Sequence, residues 1–257
     1  MPNFSFDEKL DRANQHLKEL WVELRRWRES RPYLITDELD TKSGDNVVYA
    51  KMRGSTPPVI LTLIGDCLYN FRSSLDHLVH ALAVEHMKRP LTDAESIITA
   101  FPIFKDLAGF KKKGARRIRY LAPRAQAVIE RLQPYHAANP TSHPLWFLNQ
   151  LNNIDKHRRL LVTFFTTIGA STQMPNGARQ VSFGWGRAFA LTQRKTIVAR
   201  YQCVTLDGSR RVKMEVHPAL EVIFGDAPAR GEFVVVVLDE LLHTISQNII
   251  PRFRPFL

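Results

Sequence analysis

An arginine and a histidine five positions apart, Arg72 and His77, carry the sharpest chemical suggestion in this 257-residue chain. A histidine titrates near neutral pH, so its imidazole can take a proton from a ribose 2′-hydroxyl. A guanidinium can hold the negative charge that builds on phosphorus oxygens when RNA is cut without a metal. Five residues of helix turn about 500°, which leaves the two side chains roughly 140° apart. One helix alone therefore cannot build that site; a second helix, or the same helix of a second subunit, must complete it. The stretch also has a purely structural reading. Arg72 and Asp76 form an i, i+4 pair able to satisfy each other. Asp66, Asn70, Ser74 and His77 make a polar stripe that can pin a neighbouring helix by hydrogen bonds without chemistry.

A second polar cluster, Asn149, Asn152, Asn153, Asp155, Lys156, His157 and Arg158, lies in LNQLNNIDKHRRLL. If Asp155 meets Arg72, or His157 meets Asp76, the two stretches share one seam. Such a seam serves an active centre or an inter-helix lock equally well. Asp76, His77, His80, Asp155 and His157 are also ligand types that zinc, iron or manganese accept. The Glu-x-x-His pairs of di-iron bundles are absent, however, and no metal or other cofactor is expected. The chain contains no P-loop, Gly-rich dinucleotide turn, serine nucleophile elbow or Cys-x-x-Cys pair.

The formal charge of +11 is regional. Residues 107–206 hold sixteen Lys and Arg against two acids, Glu130 and Asp155, a net of +14, whereas the rest holds twenty bases and twenty-three acids. The densest run, KKKGARRIRY, supplies Lys111, Lys112, Lys113, Arg116, Arg117 and Arg119. With Arg158 and Arg187 these are the candidate contacts for RNA or another polyanion. The alternative is an exposed loop whose bases serve solubility.

The elements that must position these groups follow from spacing and punctuation. Leu10, Leu17, Leu20, Trp21, Leu24 and Trp27 recur at helical spacing, and Ser5 with Glu8 reads as a capping box, so residues 5–30 are expected to form a helix. YLIT and VVYAKM around a Ser-Gly-Asp-Asn turn predict a β-hairpin over 33–53. Pro57 and Pro58 open a central helix to Met87, broadly apolar through Ile60, Leu63, Ile64, Leu68, Phe71, Leu75 and Leu82. Residues 88–110 read as loop with a short strand or turn. Pro123 and Pro144 start a third and a fourth helix. From residue 161 short β-branched or aromatic runs, the last of them GEFVVVVL, predict five or six antiparallel strands, and LDELLHTISQNIIPRF a closing helix capped by Asp239. Phe183, Trp185, Arg187, Phe189, Arg194, Arg200 and Tyr201 interleave aromatics with arginines, as a single-strand nucleic-acid surface does, or as the core face of ordinary strands does.

The Arg-x4-His spacing of Arg72 and His77, in a helical context with short connections, resembles the HEPN family. That resemblance implies a helical bundle, a homodimer with paired motifs, and a metal-independent endoribonuclease of a toxin or phage-defence type. Arg72 and His77 would then be the catalytic pair, supported by Asp76, Asp155 and His157. The competing expectation is a non-catalytic nucleic-acid or protein interaction module in which the same polar residues are structural.

The expected fold is α+β: a helical domain over 1–160 of about four helices with an inserted hairpin, then an antiparallel region with a closing helix over 161–257. Cys67 and Cys203 sit in apolar patterns, as core residues of a reduced cytoplasmic protein do. No secretory signal pattern and no run of 18 apolar residues is present, so no membrane partner is expected.

Overall fold

Apolar residues every three or four positions make Ser5–Glu29 an amphipathic helix, α1, in the computed structural model. The structure describes residues 4–158, 160, 162–169, 178–185, 189–191, 195–205 and 217–257. At the start of α1 the carboxylate of Asp7 accepts from the Phe4 N–H at 3.4 Å. Ser5 therefore lies inside the first turn, and its hydroxyl faces His77 instead of closing a capping box with Glu8.

The central helix, α2, runs Pro58–Met87 and buries residues nearly all round, among them Ile64, Leu68, Phe71, Leu75, Leu78 and Leu82. The first turns of α1 lie along it, where Ser74 donates to the Phe6 carbonyl at 2.8 Å. α2 also packs against α7 (Pro144–His157) and α8 (Val234–His243). Between α2 and α7 come α3 (Asp93–Ile98), α4 (Leu107–Gly109), a π-helical turn over Phe110–Gly114, α5 (Ala115–Arg117) and α6 (Pro123–Arg131). A second π-helical turn, Thr244–Ile249, leads from α8 into α9 (Ile250–Phe253).

The strands form two sheets. One has the order β1-β2-β6-β4, from Tyr33–Leu39, Asn46–Met52, Thr196–Thr205 and Ala178–Trp185. Its neighbours pair antiparallel, with a register shift between Val48 and Tyr49 where β2 meets β6. The other has the order β5-β3-β7, from Phe189–Leu191, Val162–Gly169 and His217–Phe224.

The fold is α+β, and the chain divides into two compact units, each drawn from separated stretches. The first comprises residues 1–23, 58–161 and 224–257; the second comprises 24–57 and 162–223. The hairpin read as an insertion in a 1–160 helical domain thus joins the strands that follow residue 161, because β2 finds its second neighbour in β6. The closing helix returns to the helical unit, where Arg254 reaches Asp7 at 2.6 Å.

Two local expectations change. GEFVVVVL is helical from Val234, with Phe233 at the cap position and Asp239 inside the helix. Burial on a 3.6-residue period at Val234, Val235, Val237, Leu238 and Leu241 overrides the strand preference of four valines. Residues 93–98 are helical, closed by a capping box between Thr92 and Glu95. No helix among the described residues is long and apolar enough to cross a membrane.

Candidate nucleic-acid interface

The site begins with one carboxylate. Asp76 accepts from Arg72 Nε at 3.1 Å and Nη2 at 2.7 Å, and its Oδ1 also accepts from the Phe101 N–H at 2.9 Å. Arg72 Nη2 returns a bond of 2.7 Å to the Phe101 carbonyl. Both backbone groups of Phe101 are thereby tied to one helical ion pair. Further along, Gln133 holds the same segment: its Oε1 accepts from Phe104 N at 3.0 Å, and its Nε2 donates to the Pro102 and Ile129 carbonyls at 2.8 and 3.0 Å. Gln133 is 1% exposed, so an unpaired amide there is costly and all three bonds are made.

The pinned segment forms one wall of a cavity of about 740 Å³ inside the first unit. Arg72 and Asp76 of α2 line another side, with Lys112 and Lys113 of the π-helical turn and Arg116 and Arg117 of α5 around it. The fourth side is a single face of α7, Asn149, Asn152, Asn153 and Lys156 at helical spacing. Six bases thus surround one acid, which Arg72 and Phe101 already occupy. Lys112, Lys113, Arg116, Arg117 and Lys156 make no ion pair among the described residues.

The electrostatics fit an anion. Desolvation and then the Arg72 charge lower the pKa of Arg117, with Asp76 acting in the opposite direction. Arg72, its side chain 11% exposed, leaves its Nη1 buried without an acceptor among the described residues. Asn152, 3% exposed, has no hydrogen bond on its amide there either. The Arg117 guanidinium lies 5.9 Å from the centre of the Phe104 ring. Gly114 makes that packing possible, since a Cβ there would sit 2.8 Å from Phe110 Cδ2 and 2.9 Å from Phe104 Cε2.

The other candidates lie apart from this cavity. His77 is on a different face of α2, its Nδ1 3.1 Å from Ser5 Oγ. Burial, and next the charge of Lys9, lower its pKa, against Asp76 and Glu8 and together with His80. The structure therefore does not bring Arg72 and His77 together around one position within the chain. Asp155 meets neither Arg72 nor any other base among the described residues; it packs on Gly65, where a Cβ would lie 2.6 Å from its Oδ2. Burial and the neighbouring Asp66 raise its pKa. His157 is exposed and does not line the cavity with Asp76.

Arg158 pairs with the buried Asp226 at 2.5 Å. Lys111 is exposed outside the cavity lining, and Arg119 stacks its guanidinium over Tyr120. Arg187 and Arg194 lie outside the described residues, and Tyr201 is buried with its hydroxyl on Asp37. No group of three or more His, Cys, Asp or Glu placed to hold a metal occurs among the described residues. Cys67 is buried, and desolvation takes its pKa to about 12.

Sequence reasoning reached the basic run and the asparagine face but missed the segment between them. Gln133, Phe101 and Phe104 carry no motif; their roles come from backbone bonds across about thirty residues of chain. In comparisons with protein-family models, with curated proteins and with solved structures, the chain matches none.

Proposed function

We propose that the first compact unit is a nucleic-acid-binding module that takes a single strand, RNA in the first instance, in the basic cavity, with the Arg72–Asp76 pair as a structural clasp. The observation that carries this reading is the convergence of six bases from three stretches on a cavity whose single acid is already engaged. A concave site of this size between helices suits an unstacked nucleotide better than a duplex. Asparagine amides offer both donors and acceptors to base edges or a 2′-hydroxyl. The reading requires neither a second subunit nor a cleavage step.

Binding of a labelled single-stranded RNA, followed by fluorescence anisotropy across a salt series, tests it. Affinity is expected to fall with log salt by roughly 0.7 per phosphate contacted. The double variant Lys112→Ala/Lys113→Ala should bind more weakly, with a salt slope shallower by about 1.4. A variant that binds as the parent does, or a parent that fails to bind at about 50 mM salt, sinks the proposal. Cleavage of the same RNA in EDTA, lost in an equally stable His77→Ala, would favour the dimeric HEPN-like ribonuclease instead.

A further inference from the structure

Internal phosphodiesters carry one charge each and are spread along a strand, so a surface that tracks them spreads its bases too. Here the bases converge. Arg72, Lys112, Lys113, Arg116, Arg117 and Lys156 surround one cavity, which suits a group with two negative charges in one place. A phosphomonoester is such a group, because its second ionisation lies near pH 6, by the value of about 6 for phosphorylated side chains.

Two donors at this cavity also lack an acceptor among the described residues: Arg72 Nη1, which is buried, and the amide of Asn152, a residue 3% exposed that lines the cavity. Arg72 is held in place by Asp76 and the Phe101 carbonyl, so an anion meets a fixed guanidinium. At the rim Ile97 is 83% exposed beside Ile98, an apolar contact of the kind a terminal sugar and base can cover.

We propose that the cavity receives the terminal phosphomonoester of a nucleic-acid strand, its oxygens held by Arg72, Arg117 and Asn152, with the bases at 112–116 meeting the phosphates that follow. This assignment rests on the strand-binding reading and adds to it a preference for a phosphorylated end. Arg117 is the specificity residue open to substitution, since it is exposed and bonds no backbone group among the described residues.

The test uses the full chain and three ten-nucleotide RNAs of one sequence with an internal fluorophore: 5′-phosphorylated, 3′-phosphorylated, and with hydroxyls at both ends. Adenosine 5′-monophosphate serves as competitor. One phosphorylated end is expected to bind at least tenfold tighter than the hydroxyl-ended strand, a difference of about 1.4 kcal/mol. The monophosphate should displace it where adenosine does not. Arg117→Gln, checked by thermal melt, should weaken binding of all three strands and bring the phosphorylated ones down to the affinity that the variant shows for the hydroxyl-ended strand.

Equal affinity for all three strands overturns end recognition while leaving strand binding intact. Binding of the monophosphate without binding of any strand overturns both proposals and leaves a mononucleotide pocket. A preference unchanged in Arg117→Gln and in Asn152→Leu places the phosphate elsewhere and overturns the assignment of this cavity.

Discussion

Asp76 holds three donors at once, two from Arg72 and one from Phe101, and so joins helix α2 to a segment twenty-five residues away. Asp76→Ala should therefore cost about 2–3 kcal/mol, less than for a fully buried pair because solvent reaches the carboxylate. Urea unfolding measures it, and a loss under about 0.5 kcal/mol would show that the clasp is ornamental. His143 makes a second residue-scale prediction. Its Nδ1 accepts from Leu145 N at 3.1 Å, capping α7, and burial lowers its pKa from 6.5. The unfolded chain thus takes up the proton first as pH falls. The stability that His143 contributes is complete above 6.5 and is lost as pH drops through the lower folded value. His77 adds a change of the same sign. The urea midpoint should fall on acidification below 6.5, and His143→Asn, which keeps a capping acceptor, should lessen the fall.

At the scale of elements, the π-helical turn Phe110–Gly114 is where the basic run becomes a cavity wall. Such turns widen a helix locally and are common at functional sites. Gly114→Ala would press a methyl into Phe104 and Phe110, so a loss of about 1–3 kcal/mol is expected, together with weaker RNA binding as Phe104 moves. α8 gives an opposite test. Val236, in the first turn of that helix, is 56% exposed, so Val236→Ala should stabilise the protein by roughly 0.3 kcal/mol through helix propensity. A strand at that place would respond with destabilisation.

These two elements also mark what the sequence conveys. α1, α2, α6 and α7 were legible from apolar spacing and opening prolines, and the hairpin from its turn. The valines of α8 misled because β-branched residues follow burial more strongly than propensity. α3 was announced by Thr92-x-x-Glu95, a box easily passed over within six residues of helix. The bases and asparagines of the cavity were legible as types. Their convergence was not, because it depends on Gln133 and Asp76 bonding to backbone, which leaves no pattern in side-chain identity.

At the scale of the whole molecule, the path of the chain matters more than the number of elements. It passes between the units at residues 23/24, 57/58, 161/162 and 223/224. A fragment ending at 161 would lack α8, whose Val234, Val235, Leu238 and Leu241 are buried, and would leave β2 without β6. Such a fragment is expected to show helical circular dichroism but no cooperative thermal transition, with enhanced dye binding to exposed apolar surface. A sharp two-state melt would count against the described division. The threading has a hereditary side as well. A single recombination breakpoint in the gene, wherever it falls between those crossings, exchanges pieces of both units together. Transplanting the strand-rich unit alone requires four cuts in two coordinated pairs, 23/24 with 57/58 and 161/162 with 223/224. Paired breakpoints are rarer than single ones, so the two units should descend as one inherited block.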